Sequence, residues 1–219
     1  IAKSFKGVKV IVQEVPGIAA TRNLGFDEAT GYIIARTDAD TRPDTNWLER
    51  TLRSMTSDVH AVTGPIYYYD LPAQKLLERL GVYIQGKLAG RKNRPRFLAG
   101  ANMAIRKDTW QKVSGKLCQI DNTHEDLDLA IHLINNGYVI GYDQHMRVAT
   151  SARRLRGDSQ DFYKYMRAYK HTYSLHGINN LSTKVPMLCF MPLHFMAKFL
   201  AGFSRNRAPE VIKAFNSPD

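Results

Sequence analysis

Three observations predict an α/β fold with a mostly parallel sheet, flanking helices and a helical extension at the carboxyl end. Short apolar runs alternate with longer segments of helical period along the first 150 residues. Glycine, proline or asparagine stands at most of the junctions. Paired acids follow the apolar runs, at the carboxyl ends of strands, where open α/β sheets gather their ligands. The chain has 219 residues, enough for one large domain with an extension and for a core without disulfide staples.

The elements follow in order. Residues 8–12 alternate β-branched residues with a lysine and read as a strand, broken by Pro16-Gly17. Residues 18–29 suit a helix stopped by Gly31, and residues 32–35 a short buried strand that delivers Thr37-Asp38-Ala39-Asp40 at its end. Pro43-Asp44 introduces a helix over residues 47–55, with Trp47, Leu48, Leu52 and Met55 as its apolar face. Residues 59–69 read as a strand interrupted by Gly64-Pro65, and residues 71–88 as a helix. Residues 86–96 carry five basic side chains and no acid, the pattern of a loop; residues 97–105 are small and apolar. A helix over residues 124–135 places Leu127, Ala130, Ile131 and Ile134 at i, i+3, i+4, i+7, and Asn136-Gly137 stops it. Strands over residues 138–142 and 146–150 close the first unit, residues 1–157. Residues 158–219 form a helical tail, with one helix over 158–176 and an apolar one over 186–203.

The formal charge is +11, from 31 lysines and arginines against 20 acids, which favours a polyanionic partner. Nucleic acid is disfavoured, because the aromatics do not interleave with the basic residues and no helix-turn-helix or zinc pattern appears. Two cysteines, Cys118 and Cys189, make no disulfide framework and show no zinc-ligand spacing, which fits a reducing compartment. No uncharged apolar run reaches spanning length. In the apolar tail segment, His194, Lys198 and Arg205 share one helical face and Leu188, Met191, Phe195 and Phe199 the opposite one. That division suits a helix lying in a membrane interface, one docked on the protein's own core, or a re-entrant or truncated spanning segment.

Four constellations carry possible chemistry. Asp38-Ala39-Asp40 offers two carboxylates for a hard divalent cation, or, more plainly, a turn that caps the next helix. Glu125-Asp126, opening a helix, offers a base for an acceptor hydroxyl; Thr123-x-x-Asp126 also reads as a capping box. Arg22-Asn23 between Gly17 and Gly25 suits an anion or a base edge, or else a surface arginine on a glycine turn. Arg153-Arg154 suits a diphosphate clamp or a solvated basic loop.

Taken in order, Gly17…Ala20-x-Arg22-Asn23-x-Gly25, Ala29-x-Gly31, Asp38-Ala39-Asp40 and Trp47-Leu48 strongly resemble glycosyltransferase family 2. So do Gly100-Ala101-Asn102-Met103-Ala104-Ile105-Arg106 and Glu125-Asp126-Leu127-Asp128-Leu129 with Asn136-Gly137-Tyr138. The resemblance covers about residues 7–155. It implies a GT-A fold and inverting, metal-dependent transfer of a sugar from a UDP- or GDP-linked donor to a glycan or lipid-linked acceptor. By the same match Asp40 ligates Mg²⁺ or Mn²⁺, Asp38 binds the donor's ribose or sugar, and Asp126 is the general base, supported by Glu125. Arg22, with Asn23, touches the nucleotide, and Gly100, Ala101 and Asn102 line the donor-sugar or acceptor pocket.

Two departures from the family pattern accompany this resemblance. The opening strand-helix-strand unit that reads the nucleobase is missing, and Val148-Ala149-Thr150-Ser151 stands where many members carry a metal-binding histidine. Arg153 and Arg154 are then the expected diphosphate clamp. The expected setting is the cytoplasmic face of a membrane, with peripheral contact. The alternatives are a nucleic-acid-binding module and a catalytically inactive membrane-associated scaffold of the same fold.

Overall fold

The computed structural model describes residues 4–71, 74–90, 92, 94–118 and 120–205, without the side chains of 182 and 201–205. The elements run α1 (Ile18–Glu28), β1 (Ile33–Arg36), β2 (Arg42–Pro43), α2 (Trp47–Ser54), β3 (Ala61–Thr63), β4 (Ile66–Tyr68), α3 (Gln74–Ala89) and β5 (Met103–Arg106). They continue with α4 (Lys107–Val113), α5 (Glu125–Asn135), β6 (Ile140–Tyr142), β7 (Val148–Thr150), α6 (Arg153–Arg156), α7 (Ser159–Leu175) and α8 (Val185–Arg205).

The central sheet has the order β1-β5-β3-β6. β5 runs antiparallel to both neighbours while β3 and β6 are parallel, so β1, β3 and β6 share one direction. The mostly parallel expectation holds with one reversed strand in the middle. Against one face pack Phe26, Trp110, Val113, Leu129 and Leu133; against the other pack Trp47, Met55, Met146 and Val148. Gly141 faces the Val59 side chain so closely that an added Cβ would sit 3.2 Å from it, so a side chain there would push Val59 out of place.

A second sheet, β2-β7-β4, lies at the carboxyl end of the first. The expected single strand over residues 59–69 is therefore two strands in two sheets. Gly64-Pro65 forms the corner, and the site of a Cβ on Gly64 falls 2.1 Å from the Met146 carbonyl oxygen, so only glycine fits. β2 pairs antiparallel with β7, with Arg42 opposite Ala149 and Pro43 opposite Val148. This ribbon brings the Asp38–Asp40 segment beside residues 150–154.

Other expectations need correction. Residues 8–12 lie extended without a ladder partner, and Val8, Val10 and Val12 are exposed. Their alternation is real, but a strand exists only where a neighbour takes its hydrogen bonds. α2 buries Trp47 and Met55 as expected but leaves Leu48 and Leu52 exposed; on its inner side Thr51 is buried and Arg50 donates to Asp143 in two bonds of 2.9 and 2.8 Å. α4, too short to show a period, directly follows β5 and buries Trp110. In the basic loop, Arg91 and Asn93 lie outside the described residues, as does the chain after 205.

The tail helices share a third core with the α/β unit: Leu71, Ala152 and Leu155 meet Phe162, Met166 and Ala197. Asp158 caps α7, its Oδ1 accepting from the amides of Gln160 and Asp161. α8 packs Met187, Phe190, Met191, Leu193 and Ala197 on the core, so Met191 leaves the oily face expected to point away from His194. His194 is fully buried, stacked on Phe162 with its Nδ1 2.7 Å from the Leu155 carbonyl, and Lys198 donates to Ser159 Oγ. Leu188, Phe195 and Phe199 are turned outward. The Arg205 side chain lies outside the described residues.

Candidate active site

β1 ends in Arg36, and the turn that follows carries Asp38 and Asp40. Asp40 sits against the segment after β7: Thr150 Oγ1 lies 3.5 Å from its Oδ1 and Arg153 Nη2 3.4 Å from its Oδ2. Both contacts are long, so the carboxylate is loosely held. It does not cap α2, whose N-cap is Asn46. Asp38 is half exposed, with Arg36 Nη2 3.4 Å away. The hydroxyl of Thr41, next in the chain, is buried and unpartnered.

Arg36 was not singled out by the sequence, yet it joins the two acid motifs. Its Nη2 donates to Glu125 Oε1 at 2.9 Å, a contact 89 residues apart in sequence, while its Nη1 is buried with no partner. Gly100 leaves room for this guanidinium: a Cβ there would sit 3.1 Å from it. The Gly100 amide also donates to Asp126 Oδ2 at 3.0 Å. A continuous chain of contacts thus runs from Asp38 through Arg36 to Glu125, and through Gly100 to Asp126.

The two neighbouring carboxyls are pushed in opposite directions. Burial raises Glu125, but the charge of Arg36 and its hydrogen bond, helped by Arg22, outweigh that and hold it below the usual range. Burial raises Asp126, and the adjacent Glu125 charge raises it further. Asp126 is therefore the better proton acceptor and Glu125 the fixed anion. The capping box is absent: the N-cap of α5 is His124, no side chain caps it, and the Thr123 hydroxyl donates to Ile120 instead.

Aromatic residues of α7 close this end of the site. His124 stacks on Tyr169, ring centroids 3.6 Å apart, and its Nε2 lies 3.0 Å from the Tyr165 carbonyl. A carbonyl only accepts, so Nε2 carries the proton and Nδ1 turns toward Asp126 Oδ1, 3.8 Å away. Arg154 lies over the Tyr165 ring at 4.4 Å. Helical period alone gave no sign that Tyr165 and Tyr169 would meet His124.

Two of the expected ligand residues make internal contacts. Arg22 is buried rather than surface-exposed. Its Nη1 donates to the Glu125 carbonyl, its Nε and Nη2 to Asn23 Oδ1, and it lies 5.6 Å from the Trp110 ring centroid. Arg22 and Asn23 thus brace the start of α5. Asn102 is fully buried: its Oδ1 accepts from Trp47 Nε1 at 2.8 Å, and its Nδ2 donates to the carbonyls of Pro65 and Met146. With both ends of the amide engaged, it fastens the two sheets together. Ala101 is buried next to it. Of the Gly100-Ala101-Asn102 segment, Gly100 alone contacts the acidic groups.

The family model for glycosyl transferase family 2 matches residues 1–113. No curated protein matches. Solved structures do, across 87 chains. One is described as mannosyltransferase PcManGT from Pyrobaculum calidifontis in complex with GDP-Man and Mn²⁺. It superposes with a TM-score of 0.52 at 16% identity, over 92% of this chain and 58% of that one. At that identity the likeness is one of fold, which is of the GT-A type, and the chain spans 58% of the length of that structure.

Proposed function

The chain belongs to glycosyl transferase family 2, and we propose that it is a metal-dependent inverting glycosyltransferase. It would move a sugar from a nucleotide-diphosphate donor to an acceptor hydroxyl. The observation that supports this reading is the run of contacts from Asp38 through Arg36 to Glu125, and through Gly100 to Asp126, which brings the two acid motifs together.

Asp126 takes the proton of the acceptor hydroxyl as that oxygen attacks the anomeric carbon, and the bond to the diphosphate breaks on the opposite side. Glu125, ion-paired to Arg36, does not compete for the proton; it fixes the helix start and raises the basicity of its neighbour. The unpartnered Nη1 of Arg36 offers a donor to a sugar or phosphate oxygen. Arg153 and Arg154 stand over the Asp38–Asp40 turn, placed to offset charge on the leaving diphosphate.

The residues around Asp40 fit Mg²⁺ or Mn²⁺. They present hard oxygen donors in loose contacts, with the orphaned Thr41 hydroxyl adjacent in the chain. Asp40 would hold the cation and Asp38 the donor's ribose or sugar; the bound metal supplies neutralisation of diphosphate charge. The Tyr165–Tyr169 wall gives an acceptor ring an apolar face beside Asp126.

The acceptor we favour is a lipid-linked or polymeric glycan at a membrane surface. Two helices support this. α8 exposes Leu188 and Phe195; α3 exposes Leu76, Leu80, Tyr83 and Leu88, flanked by Lys75, Arg79 and Lys87. Oily faces rimmed by lysine and arginine suit an anionic lipid interface. No described helix is long and apolar enough to cross a membrane. Transfer assayed with UDP- and GDP-sugars tests the enzyme reading. It should require Mg²⁺ or Mn²⁺ and disappear in Asp126→Asn; full activity in that variant would refute the assignment of the base.

A further inference from the structure

Behind the site, four ligand-type side chains converge that the transfer reaction does not use. Asp128 and His132 sit one turn apart on α5, Cys118 lies in the loop before it, and His176 is the C-cap of α7. Their ligand atoms all lie within 4.8 Å of one another. Cys118 Sγ is 4.0 Å from His132 Nε2 and 3.9 Å from His176 Nε2. Asp128 Oδ1 is 2.8 Å from His176 Nε2 and 3.5 Å from His132 Nε2. We propose that Cys118, Asp128, His132 and His176 bind one zinc ion, which ties α7 to α5.

The donor set is one sulfur, two imidazole nitrogens and one carboxylate oxygen, the ligand classes zinc takes in four-coordinate sites. At zinc's bond lengths of about 2.0–2.3 Å, the edges of a tetrahedron are about 3.3–3.7 Å. The observed separations bracket that value, so small side-chain shifts close the shell. As hydrogen bonds only the 2.8 Å contact between His176 and Asp128 is good: one thiol proton cannot serve two imidazoles, and 3.5 Å is long for His132 and the carboxylate.

Charge points the same way. Asp128 is 1% exposed, and its ion-pair partners among the described residues are the imidazoles of His132 and His176, which carry charge only when protonated. A buried carboxylate without a cation is costly. Its second oxygen is already oriented, accepting from the Cys118 amide at 3.0 Å, the kind of outer contact that fixes a metal ligand. The site is distinct from Asp38 and Asp40, whose donors are oxygens alone and suit a harder ion. By clamping His176 to α5, zinc would hold the Tyr165–Tyr169 wall against Asp126.

Metal analysis and cobalt substitution of the purified full chain test the proposal. About one zinc per chain should remain after gel filtration. Co²⁺ exchanged into the site should give tetrahedral d–d bands and a thiolate-to-cobalt charge-transfer band. Cys118→Ser should abolish the charge-transfer band. His176→Gln should weaken zinc binding by at least about tenfold. Cys189→Ser and Asp40→Ala should leave the spectrum unchanged. Zinc at about a hundredfold excess over its Kd should raise the thermal midpoint of the stripped chain by about 5–10 °C. Absence of zinc and of any cobalt spectrum from the folded wild-type chain would overturn the proposal. So would a thiolate band that survives Cys118→Ser.

Discussion

At the scale of single residues, two adjacent acids stand in different electrostatic settings, which suits the different tasks proposed for them. Glu125 and Asp126 follow one another in sequence, but Arg36 pairs with the first and leaves the second to burial and repulsion. Asp126→Asn keeps the shape and the acceptor for the Gly100 amide while removing the base. It should abolish transfer and leave metal-dependent donor binding nearly intact. Parallel loss of donor binding would instead indicate a structural role. Asn102 makes the opposite kind of contribution. Replacing it by leucine strands the Trp47 indole N–H and the Met146 carbonyl in the core, which should cost about 2–3 kcal/mol, read as a lower denaturant midpoint. The family resemblance alone placed Asn102 among the lining residues. Its partners, Trp47, Pro65 and Met146, lie far off in the chain and are visible only once the sheets form.

Among the elements, α2 follows its apolar pattern only in part, burying Trp47 and Met55 but not Leu48 and Leu52. Its leucines read as the inner face, yet Arg50 is drawn to Asp143, which also accepts from Ser54 Oγ and the His145 amide. Burial alone would raise the Asp143 carboxyl, but these donors, with Arg50 foremost, hold it below the usual carboxylate range. A depressed carboxyl contributes stability that is fully present above its ordinary value and lost as pH falls through the lowered one. The thermal midpoint should therefore drop on acidification over that window, and Asp143→Asn should start lower and lose less. An equal acid slope in both proteins would contradict this reading of Asp143. Element positions were legible in the sequence wherever the period was long: α1, α5 and α7 lie within a residue or two of expectation. Pairing was not. Local alternation in residues 8–12 says nothing about whether a neighbouring strand exists, and Gly64-Pro65 did not reveal that β3 and β4 part into separate sheets. In the same way the acid motifs were legible as types and spacings, whereas Arg36, His124 and the α7 tyrosines join them only through tertiary contacts.

For the molecule as a whole, the proposed lipid surface would account for both the basic charge and the outward oily faces of α3 and α8. Leu188→Ser with Phe195→Ser should reduce binding to vesicles containing anionic lipid by at least about tenfold without lowering the thermal midpoint, since neither side chain is buried. Undiminished vesicle binding would remove that face from the account. The central claim, a nucleotide-diphosphate site built on Asp38 and Asp40, is tested most directly by calorimetric titration of UDP and GDP into the chain, with and without Mn²⁺. The account predicts binding of at least one nucleotide that requires Mn²⁺ and disappears in Asp40→Ala. Binding that persists in a chelator or in Asp40→Ala, or no binding of either nucleotide, would contradict it.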